Sequence, residues 1–371
     1  MTSLDHVPGA LTTSGTRKAE SRRQKPMARK PRGRKIRRVV CWTLAGIIVV
    51  GGGLGFVAYQ HLNGNLSSVD IDAALGKDRP ADTDNGSQDI LVLGSDSRSG
   101  DNKGLAGGDT GGTARSDTAM VVHLPAGRAK ATAVSIPRDT LVTRPQCTTD
   151  SGKQLPEAQR VMFNSVYTSG GPACVVKTVE SMTGIRMDHY VEIDFAGFKD
   201  LVDALGGVTI TTDKPINDKD SGLHLDAGTH KLNGTESLAF VRTRHGIGDG
   251  SDLGRIGLQQ KFMLAALSEI KQQGMLSNPA KLYKIANAAT KALTTDSGLG
   301  SLTDLADFAR SLNKLDPSTM QTLMLPVEYD KKDPNRVVAA QPQATELWNA
   351  LRADQPVPEA ARKSPARGGS S

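Results

Sequence analysis

Short apolar runs, separated by glycine and polar turn residues, predict the strands of this chain. The runs are DILVLG (89–94), TAMVVHL (118–124), ATAVSI (131–136), HYVEIDF (189–195), VTITT (208–212) and SLAFVRTR (237–244). The turn-like PAGRAK (125–130) joins the second and third runs, so Met120–Leu124 and Ala131–Ile136 are expected to form a hairpin. In the last run Arg242 and Arg244 are two apart, which places both side chains on one face of an extended chain.

Other segments repeat apolar residues with the three- to four-residue spacing of an amphipathic helix. They are GPACVVKTVESMTG (171–184), AGFKDLVDALGG (196–207), RIGLQQKFMLAALSEIKQQG (255–274), PAKLYKIANAATKAL (279–293) and SLTDLADFARSLNKL (301–315). Because strands and helices are mixed along one stretch, residues 88–330 are predicted to form a single α/β domain. In this domain, helices cover a mixed central sheet.

The segments that flank this domain have a different composition. Residues 60–87 are polar and rich in turn-forming residues, so they are expected to form a stalk. Residues 331–371 are expected to form a C-terminal extension. The stretch after about residue 353 is expected to be largely disordered, because it is rich in Pro, Ala, Gly and Ser.

The longest uncharged stretch, Val39–Tyr59, predicts a transmembrane helix because its 21 residues match the roughly 20 that cross a bilayer. A cleaved signal peptide is the alternative, although such a peptide has a shorter apolar core and a small-residue cleavage site. Residues 1–38 hold twelve Lys and Arg, which the positive-inside rule places in the cytoplasm. The prediction is a single-pass protein of the cell membrane, with an extracellular domain.

The basic tail also explains the formal net charge of +7. Without residues 1–38 the chain holds 34 basic and 37 acidic residues, a net charge of −3. The folded domain therefore lacks the basic character of a nucleic-acid-binding protein. The tail is expected to fix topology and to contact anionic lipid, with DNA binding as the alternative.

The three cysteines fit the predicted compartments. Cys41 lies in the membrane segment, whereas Cys147 and Cys174 lie in the predicted extracellular domain. An oxidising compartment favours one disulfide between them, with two free thiols as the alternative. No CxxC or Cys/His spacing in the sequence indicates a zinc site.

Arginine and aspartate recur where the predicted strands end. The set consists of Asp96, Arg98, Arg115, Asp117, Arg138, Asp139, Arg242, Arg244, Arg255 and Gln259. Clustered guanidinium groups suit a pyrophosphate, because each binds phosphate oxygens in a bidentate fashion. The carboxylates require a cation between them and the anion, and Mg²⁺ prefers carboxylates together with phosphate oxygens. The alternative is a set of surface ion pairs and turn residues.

Two of these aspartates stand at opposite ends of a loop with several glycines, residues 96–117. The glycines would let the loop fold back, so that Asp96 and Asp117 reach one Mg²⁺ ion. Asp252 is expected to cap a helix with Arg255 in its first turn and Gln259 one turn later. The sequence contains no GxSxG and no GxxxxGK[ST], and its histidines lack metal-ligand spacing. His123 and His189 are expected to be structural.

The ordered blocks ILVLGSDSR, ARSDT, VSIPRDT, FNSVY, MDHYVEIDFAGFKDLVDALGGV, AFVRTRH and DLGRIGLQQ resemble the LytR-CpsA-Psr (LCP) family of cell-wall ligases. The Ala-, Gly-, Arg- and Thr-rich composition suggests an actinobacterial type. The resemblance implies a three-layer α/β/α domain with an apolar pocket for a lipid tail. It also implies a phosphotransferase that moves a glycopolymer from polyprenyl pyrophosphate onto a peptidoglycan sugar hydroxyl, forming a phosphodiester and releasing polyprenyl phosphate.

The resemblance also implies roles for residues. Asp96 and Asp117 match the ligands of Mg²⁺ or Mn²⁺, and together with Arg138 they match the catalytic set. The pyrophosphate-binding set matches Arg98, Arg115, Arg138, Arg242, Arg244, Arg255 and Gln259. One departure from the family pattern is Leu258, a position at which many members have arginine. The leucine would weaken or reorganise this part of the anion site.

The implied partners are the polyprenyl-pyrophosphate glycopolymer, peptidoglycan and the membrane, with no nucleic acid. A pyrophosphatase side activity is a further expectation. Two alternatives remain open. The first is a non-catalytic, membrane-anchored protein that binds polyprenyl phosphate. The second is an envelope-linked transcriptional regulator, which the predicted extracellular position of the acidic domain disfavours.

Overall fold

The computed structural model describes residues 52–83, 85–95, 116–127, 130–149, 151–244, 252–272 and 278–367. Outside these ranges lie the basic tail, most of the predicted membrane segment, and the predicted site residues Asp96, Arg98 and Arg115. Across the described part of the chain, no helix has both the length and the apolar character needed to span a bilayer. The membrane segment therefore stays a prediction.

Nine helices are found in the described residues. They are α1 (52–64), α2 (Ile71–Leu75), α3 (Phe163–Thr183), α4 (Phe195–Leu205), α5 (Gly234–Arg242), α6 (Asp252–Gln272), α7 (Pro279–Ala292), α8 (Leu302–Ser311) and α9 (Gln343–Arg352).

The strands fall into one large sheet and several two-stranded ribbons. They are β1 (Ser67–Val69), β2 (Gln88–Ser95), β3 (Ser116–Leu124), β4 (Thr132–Ile136), β5 (Leu141–Arg144), β6 (Cys147–Thr148), β7 (Gln154–Leu155), β8 (Ala158–Met162), β9 (His189–Asp194), β10 (Val208–Thr212), β11 (Ile216–Asp218), β12 (Leu223–Leu225), β13 (Gly228–Leu232), β14 (Leu293–Asp296), β15 (Gln321–Met324), β16 (Val327–Tyr329) and β17 (Val337–Ala339).

The central sheet has the order β1-β14-β9-β2-β3-β4-β15. It is mixed, because β2 pairs parallel with β9 and antiparallel with β3, while β15 pairs parallel with β4. The predicted hairpin is confirmed: β3 and β4 pair antiparallel, with Ala119 opposite Ile136 and His123 opposite Thr132. The predicted α/β class with a mixed central sheet is therefore correct.

Alternating side chains of the central strands pack on opposite faces of the sheet. Leu91, Leu93 and Val121 are fully buried in a core that contains residues of α3 and α9. Their neighbours Ile90 and Val122 belong to a second core that includes residues of α6 and α8. Helices thus cover both faces of the sheet, and strands buried on both faces explain the nearly continuous apolar runs.

The predicted helices are present, and α3 is longer than expected. It begins at Phe163, ahead of the predicted start at Gly171, and is kinked at Gly171, where φ is 75°. Pro172 follows and cannot donate a backbone hydrogen bond to the preceding turn. The Gly-Pro pair therefore marks a kink between two helical pieces, and the sequence predicted only the second piece.

Two predicted flanking segments contain ordered elements in the structure. In the expected stalk, β1 pairs with β14 in the central sheet, and Ile71 of α2 is buried in the core. In the expected C-terminal extension, Trp348 of α9 is buried, and so are Val357 and Ala361 beyond it. The apolar residues of these elements form only short patterns within polar sequence. The strand and helices of the two segments were therefore not predicted from the sequence.

Cys147 and Cys174 form a disulfide with an S–S distance of 2.09 Å. The bond links the short strand β6 to the second half of α3, and both cysteines are buried. Gly170 makes room for it, because a Cβ at this position would lie 2.4 Å from the sulfur of Cys174. The disulfide lies within the α3 core rather than among the predicted pyrophosphate ligands.

His123 has a structural environment, as the sequence predicts. Its Nδ1 lies 2.9 Å from Oδ1 of Asp89, and its Nε2 lies 3.2 Å from Oδ1 of Asp354. Burial by itself lowers the pKa of this imidazole, but the hydrogen bonds and charges of the two carboxylates raise it above its ordinary value. The protonated ring thereby ties the segment after α9 to β3.

We expect this histidine to make stability depend on pH. A pKa raised in the folded state gives stabilisation that is complete below about pH 6.5 and lost as pH rises through the folded pKa. His123→Gln should lower the free energy of unfolding by about 1–3 kcal/mol at pH 6 and by less at pH 9. Urea denaturation at both pH values measures this, and an equal loss at the two values would contradict it.

Candidate functional site

One edge of the central sheet collects the ends of several strands. β2 ends at Ser95, which lies opposite both Asp194 at the end of β9 and Ser116 at the start of β3. β4 runs parallel to β2, since each is antiparallel to β3, so the loop after Ile136 begins at this same edge. Polar residues that follow strands along the chain are therefore brought together here, as the sequence predicts.

Asp117 and Arg138 form the centre of the site. Nη1 of Arg138 donates to Oδ1 of Asp117 at 2.9 Å, and the two side chains are 22% and 24% exposed. Asp139 follows Arg138, and its Oδ2 lies 3.5 Å from Nε of Arg138. The guanidinium can bind an anion, and the carboxylates of Asp117 and Asp139 keep it in a fixed orientation.

Arg255 and Gln259 enter the site from α6. Arg255 is in the first turn of the helix, is buried, and donates from Nη2 to the backbone oxygen of Asp117 at 3.1 Å. Gln259, one turn later, donates from Nε2 to the backbone oxygen of Val241 at 3.2 Å. Asp252, which the sequence predicts as the cap, is the first residue of α6, and the helical spacing brings Arg255 and Gln259 to one face.

The extended conformation predicted for SLAFVRTR is wrong. Residues Gly234–Arg242 form α5, and Arg242 occupies its last turn. The sequence signal is a capping box: the side chain of Asn233 accepts from the backbone N–H of Glu236, whose carboxylate accepts from the backbone N–H of Asn233. The short continuous apolar run LAFV also suits a buried strand, but the cap and tertiary packing favour the helix.

Arg242 and Arg244 nevertheless reach the same cleft. The guanidinium of Arg242 lies 5.1 Å from the ring centroid of Phe195, which supports it from below by a cation–π contact. The backbone N–H of Arg244 donates to Oδ2 of Asp218 at 2.7 Å. The end of a helix therefore presents both arginines, in place of the predicted single strand face.

Sequence reasoning missed the turn between β11 and β12. The carboxylate of Asp218 is buried and also accepts from the backbone N–H groups of Asp220 and Ser221 at 2.9 and 3.3 Å. Asp218 thus fixes the backbone of Arg244 against this turn. The signal was the Asp-rich stretch before Gly222, whose φ of 73° marks a tight turn.

These residues enclose a polar cleft of about 290 Å³. It is lined by Asp117, Thr118, Phe195, Asp218, Asp220, Ser221, Val241, Arg242, Arg244, Arg255 and Gln259. Asp117, Arg242, Arg244, Arg255 and Gln259 of the predicted set line it, and Arg138 joins them through Asp117. Asp96, Arg98 and Arg115 lie outside the described residues.

A second, apolar pocket of about 280 Å³ adjoins the polar cleft. The two share Thr118, Phe195, Val241 and Gln259. Its other lining residues come mostly from α4 and α6 and include Phe198, Leu201, Leu205, Phe262, Ala266 and Ile270. A cleft with three guanidinium groups beside an apolar pocket suits a ligand with an anionic headgroup and a hydrocarbon chain.

Leu258 packs away from the cleft. Its side chain is buried in an apolar cluster with Phe240 and Phe262. The neighbouring Gln260 is also buried and donates to Ser135 Oγ and to the backbone oxygen of Leu323. Leucine thus stabilises the packing of α6, and the described part of the anion site consists of other residues.

Carboxylates are the natural ligands for a hard cation here. Asp117 offers one, and its Oδ1 accepts from Nη1 of Arg138. Among the residues that the structure describes, no three His, Cys, Asp or Glu side chains are grouped to hold a metal ion. Asp117 fits a Mg²⁺ ligand set completed by phosphate oxygens, while Asp96 lies outside the described residues.

Arg336, which the sequence did not indicate, supports the site from the β16–β17 turn. Its Nη1 donates to Oδ1 of Asp139 at 2.9 Å, and the backbone N–H of Val337 donates to the backbone oxygen of Asp139 at 3.4 Å. Asp139 in turn lies against Arg138. Arg336 is therefore a positioning residue that acts on Arg138 through Asp139.

We expect Arg336→Ala to lower kcat/KM of the reaction proposed below by about tenfold, because Arg138 loses one charged support. Arg336→Lys should restore most of the loss, since a lysine can re-form the ion pair with Asp139. Lys332→Ala, on the same turn and exposed, is the matched control. Steady-state kinetics of the three variants test the assignment, and equal rates for Arg336→Ala and wild type would contradict it.

A family model, described as the LytR_cpsA_psr family, matches residues 58–353. The probable cell wall biosynthesis protein LcpB of Corynebacterium glutamicum is 35% identical over 282 residues, which are 75% of this chain and 62% of LcpB. This chain therefore spans less than two thirds of the length of that relative.

A Bacillus subtilis relative is named polyisoprenyl-teichoic acid–peptidoglycan teichoic acid transferase TagT. It is 32% identical over 266 residues, which are 68% of this chain and 76% of TagT. The solved structure of the LytR-Csp2A-Psr enzyme from Actinomyces oris superposes with a TM-score of 0.57 at 26% identity. The match covers 77% of this chain and 95% of that chain.

Proposed function

Because the chain belongs to the LytR-CpsA-Psr family, we propose that it transfers a glycopolymer from polyprenyl pyrophosphate to peptidoglycan. The observation that carries the proposal is the polar cleft joined to the apolar pocket, with Arg242, Arg244 and Arg255 in the cleft. Several guanidinium groups match the charge of a pyrophosphate, and the apolar pocket matches the lipid chain. The name of TagT describes this class of transfer for that protein.

The chain's own residues would perform three tasks. The pyrophosphate oxygens are bound by Arg242, Arg244 and Arg255. The phosphorus atom attached to the polymer is oriented towards the acceptor by Asp117 and Arg138. The acceptor hydroxyl oxygen forms a bond to this phosphorus, and the bond from phosphorus to the bridging oxygen breaks. Polyprenyl phosphate leaves with that oxygen, and the hydroxyl proton passes to a cleft carboxylate or to solvent.

Such a transfer depends mainly on positioning and on neutralising charge on the leaving phosphate. Arginines fixed before the substrate arrives serve this purpose, because they need little reorganisation. Asp117, together with Asp96, would hold Mg²⁺. When bound, the ion neutralises charge on the pyrophosphate oxygens.

We also propose that the protein is anchored in the cell membrane, with its folded domain outside. Supporting this, Leu54, Phe56 and Val57 of α1 are 68%, 62% and 65% exposed, although all are apolar. They belong to the uncharged segment Val39–Tyr59. A helix with apolar side chains exposed in this way suits a hydrocarbon environment.

The test is a reaction of the full chain with a polyprenyl-pyrophosphate-linked oligosaccharide and a peptidoglycan fragment, with and without EDTA. We expect polyprenyl phosphate and a phosphodiester-linked product, both only when Mg²⁺ is present. Donor binding without release of polyprenyl phosphate would replace the proposal with the lipid-binding alternative. Release without a joined product would leave only a pyrophosphatase.

We expect Arg242→Ala to weaken binding of the pyrophosphate donor about 10- to 100-fold, because charged hydrogen bonds to phosphate are lost. Arg242→Lys should recover only part of this affinity, since lysine lacks the planar fork. Arg310→Ala on α8, which removes an exposed arginine paired with Asp307, is the control. Isothermal calorimetry measures the affinities, and an unchanged value for Arg242→Ala would remove this residue from the binding set.

A further inference from the structure

The connection between the predicted anchor and the folded domain is very short. Tyr59 is the last residue of the uncharged segment, and Leu62 is already buried at 7% exposure. Because α1 continues through these residues, the helical rise from Tyr59 to Leu62 is only about 4.5 Å. If the uncharged segment spans the bilayer as proposed, its last residue, Tyr59, marks the level of the lipid headgroups, and the part of the domain surface next to Tyr59 lies at that level.

The contacts of α1 identify that surface. Nε2 of His61 lies 3.2 Å from Oδ1 of Asn287 on α7, and Nδ2 of Asn65 donates to the same oxygen at 3.1 Å. Asn65 also donates to Oγ1 of Thr290 at 3.4 Å. The α1 residue nearer to Tyr59 therefore contacts the α7 residue nearer to the N-terminal end of α7. The N-terminal end of α7 accordingly lies on the side of Tyr59, where the uncharged segment ends.

The residues at that end have the composition of a membrane-contacting surface. We name Lys281–Lys284, with the sequence KLYK, the α7 tip. Leu282 and Tyr283 are 41% and 42% exposed, and Lys284 is exposed as well. α7 contains three lysines and no Asp or Glu. An exposed leucine and tyrosine flanked by lysines favour the headgroup region of an anionic bilayer.

The apolar pocket opens near the same end of α7. α4 packs along α7, and Gly197 in its first turn permits close approach, since a Cβ there would lie 2.6 Å from Cα of Ala292. The start of α4 therefore meets the end of α7, and the two helices run antiparallel. The far end of α4, which lines the pocket with Leu205, consequently lies towards the α7 tip.

The end of α6 supplies the other side of this opening. Ile270 lines the apolar pocket and is still 45% exposed, so it stands at the rim. Gln272 ends α6, and Pro279 begins α7 a few residues later. The rim of the pocket and the α7 tip are thus joined by a short chain segment.

We infer that the α7 tip inserts into the headgroup layer of an anionic bilayer and holds the open end of the apolar pocket at the membrane surface. A polyprenyl chain can then pass from the bilayer into the pocket without crossing water. This inference rests on the proposed function for its substrate and on the proposed anchor for its geometry. The partner is the lipid surface itself, recognised by charge and by interfacial apolar side chains.

The experiment uses the full chain in nanodiscs of either zwitterionic or partly anionic lipid. Amide hydrogen exchange of residues 279–292 is followed by mass spectrometry. We expect exchange at the α7 tip to be about fivefold slower in anionic nanodiscs, a difference that 1 M salt should remove. Tyr283→Ser/Lys284→Glu should abolish the difference. Tyr329→Ser/Lys331→Glu, a matched change at another exposed Tyr and Lys, should retain it.

Equal exchange at the α7 tip in both lipids would overturn the inference, and so would failure of the full chain to incorporate into nanodiscs. Turnover separates this result from the proposed function. Tyr283→Ser/Lys284→Glu should raise KM at least fivefold for a long-chain donor in the bilayer and leave KM unchanged for a short-chain, water-soluble donor. An equal rise for both donors would overturn the role in lipid entry. If the wild type turns over neither donor, the proposed function fails while the exchange result still decides the membrane contact.

Discussion

Replacing Asp117 with alanine is expected to lower transfer at least about 1000-fold while leaving the fold intact. The carboxylate is the partner of Arg138 at 2.9 Å and a proposed Mg²⁺ ligand, so its loss removes both an orienting contact and a metal contact. The pair is about a quarter exposed, and such pairs contribute at most about 1 kcal/mol to stability. Rates of product formation and a thermal melt of the same sample measure the two effects.

Two further variants make the result specific. Asp117→Asn keeps the size of the side chain and an oxygen that can accept from Arg138, so it isolates the contribution of the charge. Asp213→Ala, in the loop after β10, removes an exposed carboxylate outside the cleft and should react at the wild-type rate. If Asp117→Ala retains Mg²⁺-dependent turnover within about threefold of wild type, Asp117 has no catalytic role.

The topology explains why residues distant in sequence meet. The loop after β4 reaches the same sheet edge as the start of β3, because β3 is antiparallel to both β2 and β4. This places Arg138 beside Asp117, which is 21 residues earlier in the chain. α6 then brings Arg255 against the backbone of Asp117 from the sheet face. Strand β3, the loop after β4 and α6 thus meet at Asp117, with Arg138 on its carboxylate and Arg255 on its backbone oxygen, which favours a preorganised site.

The sheet could be predicted from sequence because its strands are buried on both faces. Leu91 and Leu93 pack towards α3, while Ile90 packs on the opposite face, so the run ILVL is apolar throughout. The α/β class follows from such runs alternating with helical spacing. The β3–β4 hairpin was equally clear, because PAGRAK separates its strands.

α5 could not be assigned from the apolar pattern, since the short continuous run LAFV also suits a buried strand. The decisive signal was Asn233 with Glu236, a capping box three residues apart. Arg242 and Arg244 nevertheless line the same cleft, and Asp218 holds the backbone of Arg244 there. The sequence thus assigned Arg242 and Arg244 to the candidate site, although the secondary structure predicted for their segment was wrong.

Residues such as Arg336 could not be found from the sequence. Its role depends on the backbone contact between Val337 and Asp139, which are almost 200 positions apart. No periodicity or local motif encodes a contact of this kind. For the same reason β16 and β17 could not be predicted. Each strand has only three residues of mixed polarity, which resemble a loop in the sequence.

Filling the apolar pocket is expected to reduce the use of long-chain donors about 100-fold. Ala266 lines this pocket of about 280 Å³ and lies on α6 between the buried Phe262 and the exposed Ile270. In Ala266→Trp, an indole would occupy space otherwise open to the hydrocarbon chain. Because burying one methylene is worth about 0.8 kcal/mol, the loss of only a few chain carbons from the pocket accounts for this factor.

The loss should appear in KM for long polyprenyl donors and leave kcat nearly unchanged, since the pyrophosphate cleft with Arg242 and Arg244 is untouched. A short-chain donor, which does not fill the pocket, should be used at close to the wild-type rate by Ala266→Trp. Ala309→Trp, the same substitution on an exposed position of α8, tests for a general effect of tryptophan on a helix. If Ala266→Trp and wild type have equal KM values for the long donor, the polyprenyl chain binds outside the apolar pocket. The lipid site would then not adjoin the polar cleft at this pocket.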